Sequence, residues 1–182
     1  MANQLVEAEL DAVETEHRID LGRRPATDDW EEAYLPQFDA AVLAEASQMS
    51  CHYRLFYCLE KTIRSIIAES IEEEEGANWW DSGRIPPAIH KEVADRIQRE
   101  VDSGMTLRSD DPIDYTTFGE LGELIKSNWD IFGGMFNSQR AVARVLSNLN
   151  MLRGPIAHCS PLAADEVLRL ELSLRDWFRL ME

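Results

Sequence analysis

No stretch of this sequence is apolar over anything near the ~20 residues that a membrane-spanning helix needs, so no membrane association is expected. Cysteine is scarce. Cys51, Cys58 and Cys159 form an odd set with no C-x-x-C pair. Cys51 and Cys58 share a helical face, but two turns amount to roughly 10 Å of rise, too far for a disulfide. Free thiols fit a reducing compartment. Cys51, His52 and Cys58 also lack the paired spacing of a structural zinc site. Met1-Ala2-Asn3-Gln4-Leu5 has neither the basic nor the apolar segment of a signal peptide. A soluble, cytoplasmic protein is expected. Familiar catalytic signatures are missing as well. There is no G-x-S-x-G elbow, no H-E-x-x-H, no glycine loop to cradle phosphate and no dense carboxylate pair within a turn. No metal and no cofactor are expected.

Positive charge is the other shortage. The chain has 18 Lys and Arg against 34 Asp and Glu, a formal net charge of −16. That argues against nonspecific attraction to nucleic acid. The charge is unevenly spread, however. From Gln139 onward six basic and five acidic side chains net +1, so the first 138 residues, with 12 basic and 29 acidic, net −17. Length and composition allow a real core: 182 residues suit one domain with a short appendage, and 45% of them are hydrophobic.

Hydrophobic periodicity is helical throughout. A weakly amphipathic helix is expected over Gln4–Leu21, capped by Gly22. Arg23–Pro36 reads as a linker, with Trp30 and Tyr34 as anchors, so the expected division is 1–36 for helix and linker and 37–182 for the body. A helix from about Phe38 leads into the best stripe in the chain, Leu55, Phe56, Leu59, Ile63, Ile66, Ile67 and Ser70. It ends in Glu72-Glu73-Glu74-Glu75-Gly76, a solvated terminus. Trp79 and Trp80 sit in the next loop, where they wedge it onto the body or, alternatively, stack on bases. Pro87 opens a helix with Ile89, Val93, Ile97 and Val101, ending near Gly104. Leu107–Tyr115 reads as polar loop. Thr117 and Glu120 form a capping-box pattern that opens one helix through Phe132. Val142, Val145, Leu146, Leu149 and Leu152 mark the next. Ser160-Pro161 should cap and start the last, whose Val167, Leu170, Leu174, Trp177 and Met181 form a packing seam. No repeat and no convincing strand is present. The fold class is all-α, a bundle of five or six helices with an extra N-terminal helix.

The stretch that stands out is Leu149–Pro161, L-N-M-L-R-G-P-I-A-H-C-S-P. Gly154 and Pro155 directly after Arg153 predict that the helix ends at the Arg, with His158 in or just past a tight bend. The two side chains should then share one solvent-accessible pocket. Arg carries a permanent planar fork of donors and His titrates near neutrality, a pairing suited to phosphate chemistry. A plainer reading stands beside it, in which the Arg caps a helix and the His is partly buried and satisfied.

Set between two helices, Arg153-Gly154-Pro155-Ile156-Ala157-His158 resembles the R-x4-6-H motif of HEPN domains, small helical bundles. A long early helix containing Leu59-Glu60-Lys61-Thr62-Ile63-Arg64 extends the likeness, which covers roughly residues 50–181. The chain is most similar to the branch found beside PIN-type endonucleases and as stand-alone bacterial proteins. The resemblance implies a metal-independent RNase with Arg153 and His158 as the catalytic pair. RNA contacts are expected at Arg144, Asn150 and Ser160, which neighbour the motif. RNA cleavage without metal needs a base, an acid and a fixed cation. One histidine cannot easily be base and acid in one step, so a homodimer with a shared site is expected. A toxin or phage-defence role, with an antitoxin or defence-system partner protein, is the expected context. The alternative is a catalytically silent HEPN module for dimerisation, nucleotide binding or partner interaction. Gly154, where the family usually has Asn, Asp or His, favours that alternative, as does the net acidity. The intact Arg153 and His158 favour the enzyme.

Overall fold

Five buried side chains on one long helix, Phe56, Leu59, Ile63, Ile67 and Ile71, provide the wall on which the core is built. The computed structural model describes residues 29–182; the expected helix at Gln4–Leu21 and its Gly22 cap lie outside them. The chain divides into two compact units, Met1–Ala46 and Ser47–Glu182. In the first, a short helix α1 (Asp29–Tyr34) and a 3-10 turn (Leu35–Gln37) occupy the described part of the stretch read as linker. Tyr34, expected as an anchor, is exposed. The expected helices near Phe38 and Ser50 are one continuous helix α2 (Ala40–Glu75), which begins in the first unit.

The second unit continues with α3 (Pro87–Ser103), α4 (Phe118–Ser127), α5 (Trp129–Phe132), α6 (Gln139–Ala157) and α7 (Ala164–Arg179). Every regular element among the described residues is helical. The stripe on α2 sits as its 3-4 spacing requires, except that Ile71 rather than Ser70 closes it and Leu55 is exposed. Helix α6 packs on both α4 and α7, with Val142, Val145, Leu146, Leu149, Leu152 and Ile156 buried. Leu170 and Trp177 of α7 are buried, and Val167, Leu174 and Met181 pack against the same core. Trp79 and Trp80 meet edge to face with centroids 5.4 Å apart and are half-buried against it. Val101, expected on the seam of α3, is exposed.

Local chemistry sets the helix ends. Gly104 closes α3 at φ 69°, a left-handed conformation that costs glycine little. At the start of α4, Thr117 Oγ1 accepts from the Glu120 amide at 3.3 Å and Glu120 Oε2 accepts from the Thr117 amide at 2.6 Å, completing the expected box. The expected single helix to Phe132 breaks at Asn128, which is buried and donates from Nδ2 to Leu124 O (2.9 Å) and Arg84 O (3.1 Å). Its side chain competes with the helical backbone and ends α4. Leu107–Tyr115 is more than polar loop, because Ile113 and Tyr115 in its 3-10 turn are buried. Three arginine donations hold that turn by its carbonyls. Arg64 reaches Ile113 O (3.2 Å) and Thr116 O (2.7 Å), and Arg96 reaches Tyr115 O (3.0 Å).

Candidate functional site

Helix α6 does not stop at Arg153. It continues through Gly154 and Pro155 to Ala157. The physical reason is position. Pro155 is the third-last residue of the helix, so its missing N–H removes one bond of the final turn, while buried Leu152 and Ile156 hold the same face to the core. The bend comes later. The His158 amide donates to Gly154 O (3.0 Å) and the Ser160 amide to Pro155 O (2.8 Å). Cys159 between them adopts φ 54°, a left-handed conformation unusual for a side chain with a Cβ. Nor do Ser160 and Pro161 start the last helix. Leu162 is buried ahead of the helix, and α7 begins after Ala163, which is extended and offers no side-chain cap.

With the helix unbroken to Ala157, Arg153 and the C-cap His158 lie five positions apart, about 140° around an ideal helix. Arg153 turns into a cleft of about 260 Å³ between α2, the tail of α6 and the 104–116 segment. His158 is exposed at the helix C-terminus and does not line that cleft. The expectation of one shared pocket within a chain is therefore not met. Of the flanking residues, Asn150 lines a second groove beside Gly119, Gly122 and Lys126. Arg144 and Ser160 are exposed and line neither space.

The cleft holds residues that the sequence reading did not assign a role. Glu60 is the centre. Its Oε1 accepts from Arg64 Nη2 at 2.6 Å and its Oε2 from Arg153 Nε at 2.8 Å, and its side chain is only 13% exposed. One carboxylate thus fixes two guanidinium groups. Arg64 is spent on Glu60 and on the carbonyls of the 3-10 turn. Arg153 is 39% exposed, and among the described residues its guanidinium is bonded only through Nε. Both of its Nη groups remain for a ligand, with the fork geometry that suits a phosphate.

Lys61 Nζ donates to Asp114 Oδ1 at 3.0 Å across the cleft. Burial opposes ionisation of Asp114, but hydrogen bonds from Ser109 and Lys61 and the charges of Lys61 and Arg64 outweigh it, holding the carboxyl below its ordinary value. Arg108 pairs with Glu100 and lies over the Tyr115 ring, 4.9 Å from its centroid. Lys61, Arg64, Arg108 and Arg153 stand against Glu60, Asp114 and the Glu100 that pairs with Arg108, a surplus of one positive charge in a chain of net −16. The signal was present in the sequence as Glu60 and Arg64, four residues apart on the flank of the most apolar helix face. Lone charges beside a buried stripe need partners.

A model of the family described as Swt1-like HEPN matches residues 54–182. The chain belongs to the Swt1-like HEPN family. The match spans both walls of the cleft, from Arg54 just beyond Tyr53 on α2 to the Arg153–His158 stretch and α7. No curated protein and no solved structure shows a significant match to the chain. HEPN membership points to an RNA-related, nuclease-like module, and the all-helical bundle agrees with it. Among the described residues, no group of three or more His, Cys, Asp or Glu side chains is placed to hold a metal ion. No described helix is long and apolar enough to cross a membrane.

Proposed function

We propose that this HEPN protein is a metal-independent endoribonuclease whose site is completed by a second copy of the chain. The observation that carries the reading is the Arg153 guanidinium, which lines a basic cleft and is held at Nε by largely buried Glu60, with both Nη groups unbonded among the described residues. The exposed position of His158, just past the end of the same helix and outside that cleft, favours a site in which two chains face one another. The chemistry is an internal transphosphorylation. The ribose 2′-oxygen bonds to phosphorus and its proton passes to one histidine. The bond to the 5′-oxygen breaks, and that oxygen takes a proton from the second histidine. Arg153 donates to the phosphate oxygens as charge builds on them. The products are a 2′,3′-cyclic phosphate and a 5′-hydroxyl. Arg144, Asn150 and Ser160 then contact flanking RNA. A toxin or phage-defence role with an antitoxin or defence-system partner protein belongs to the same proposal.

A second reading, a catalytically silent module for dimerisation, nucleotide binding or partner interaction, is favoured by Gly154. A Cβ there would meet nothing within 4 Å, so packing does not demand glycine, and the polar side chain usual in the family is simply missing. Purified protein on a mixed RNA pool separates the two. The nuclease cuts at an unchanged rate in EDTA and leaves cyclic phosphate ends. Arg153→Ala and His158→Ala each slow it about a hundredfold. Intact RNA with wild-type protein rejects the nuclease, and cleavage that requires magnesium rejects the mechanism.

A further inference from the structure

On the wall of the cleft formed by α2, Tyr53 and Tyr57 stand one helical turn apart. They are 60% and 57% exposed, although both line the same cleft as Arg153. Their ring centroids are 6.2 Å apart with planes inclined at 36°, so each pack against the other only partly and offer open faces. No hydrogen bond among the described residues engages either hydroxyl. Scattered exposed aromatics are ordinary. Two of them lining a pocket with surplus positive charge are a different arrangement, because a basic groove flanked by aromatic faces is how single strands are bound. Phe56, between them in sequence, is buried in the core and forms the floor of the cleft, while both tyrosines stand exposed at its wall.

We propose that Tyr53 and Tyr57 form a nucleobase platform, so that the cleft takes an unpaired RNA segment with a phosphate on Arg153 and a nearby base stacked on a tyrosine face. This deepens the nuclease reading and rests on it for the identity of the ligand. The size of the space agrees. At about 260 Å³ it lies just below the ~300–1,000 Å³ typical of small-molecule sites, so it accepts one nucleotide of a polymer whose neighbours lie outside. A base within a duplex already has both faces covered and cannot reach a protein ring, so the platform selects single strands, loops or bulges. Arg108, exposed on the opposite segment, and Lys61 supply further phosphate contacts along the strand.

The test uses binding rather than cleavage. A fluorescent 2′-O-methyl oligonucleotide, which has no free 2′-hydroxyl to attack, is titrated with protein as a single strand, as a duplex and as a strand carrying abasic positions. Wild-type protein should bind the single strand roughly tenfold more tightly than the duplex or the abasic strand. Tyr57→Ala or Tyr53→Ala should remove about that factor from the normal strand and little from the abasic one, and Tyr57→Phe should keep it, since stacking needs the ring and not the hydroxyl. Equal affinity for normal and abasic strands, no loss in either alanine variant, or no binding by wild-type protein overturns the platform. Because the strand cannot be cut, a protein without nuclease activity can still give the expected pattern. Conversely, a nuclease that ignores the tyrosines would cleave ordinary RNA while showing no abasic penalty.

Discussion

Arg153 and Glu60 show how a single carboxylate can build a binding site from residues 93 positions apart. A guanidinium on a free side chain must lose rotamer freedom when it meets a phosphate. Here Glu60 has already fixed the Nε edge, so the ordering is largely done before a ligand arrives. The two arginines on Glu60 differ in what they need from it. Arg64 is largely buried, whereas Arg153 still meets water. Glu60→Ala leaves largely buried Arg64 without its carboxylate and two guanidiniums without the charge between them, at a cost of about 1–3 kcal/mol. Arg153→Ala removes a partly solvated ion pair and should cost under ~1 kcal/mol. Denaturant unfolding of both variants checks the order. If Arg153→Ala proves the more damaging, the pair is a structural strut and Arg153 is not held in readiness for a ligand.

Among the elements, what the sequence disclosed depended on whether the deciding force was local. The capping box at Thr117–Glu120, the αL glycine at Gly104 and the stripe on α2 were legible because each is set within a turn or two of chain. The end of α6 was not. Gly154-Pro155 signals a stop, and the signal is overridden because Ile156 continues the buried face of Leu149 and Leu152. Likewise α4 was read through to Phe132, since nothing local announces that Asn128 will turn its amide on Leu124 O. Arg153 and His158 could be named from their motif. Glu60, Asp114 and the tyrosines could not be joined to them, because a contact between α2 and α6 has no local trace in the sequence.

The same capping box makes a prediction about acid. Burial raises the Glu120 carboxyl, but its bonds from Arg96 (2.7 and 2.9 Å) and from Thr117 outweigh burial and hold it below its ordinary value. A depressed carboxyl stabilises the folded chain fully above the ordinary Glu value of ~4.3, and that stability is lost as pH falls through the lowered folded value. Glu120→Gln should therefore lower the thermal midpoint near neutral pH, and the gap to wild type should close on acidification below pH ~4. A gap that stays constant over that range would show that Glu120 contributes by packing rather than by charge.

For the whole molecule, charge and proton count lead to the same arrangement. The first 138 residues net −17 and the remainder +1, so two copies repel least when they approach through the C-terminal third, which carries Arg153 and His158. Each chain offers one motif histidine, exposed and outside its own cleft, while transphosphorylation uses a base and an acid. The direct measurement is subunit mixing. Wild-type chains are equilibrated with a rising excess of His158→Ala chains, exchange is confirmed by native mass spectrometry, and RNA cleavage is read per wild-type chain. A composite site predicts that this activity falls toward zero as mixed dimers replace wild-type pairs. Activity per wild-type chain that stays constant while mixed dimers form would contradict it, since each chain would then carry a complete site.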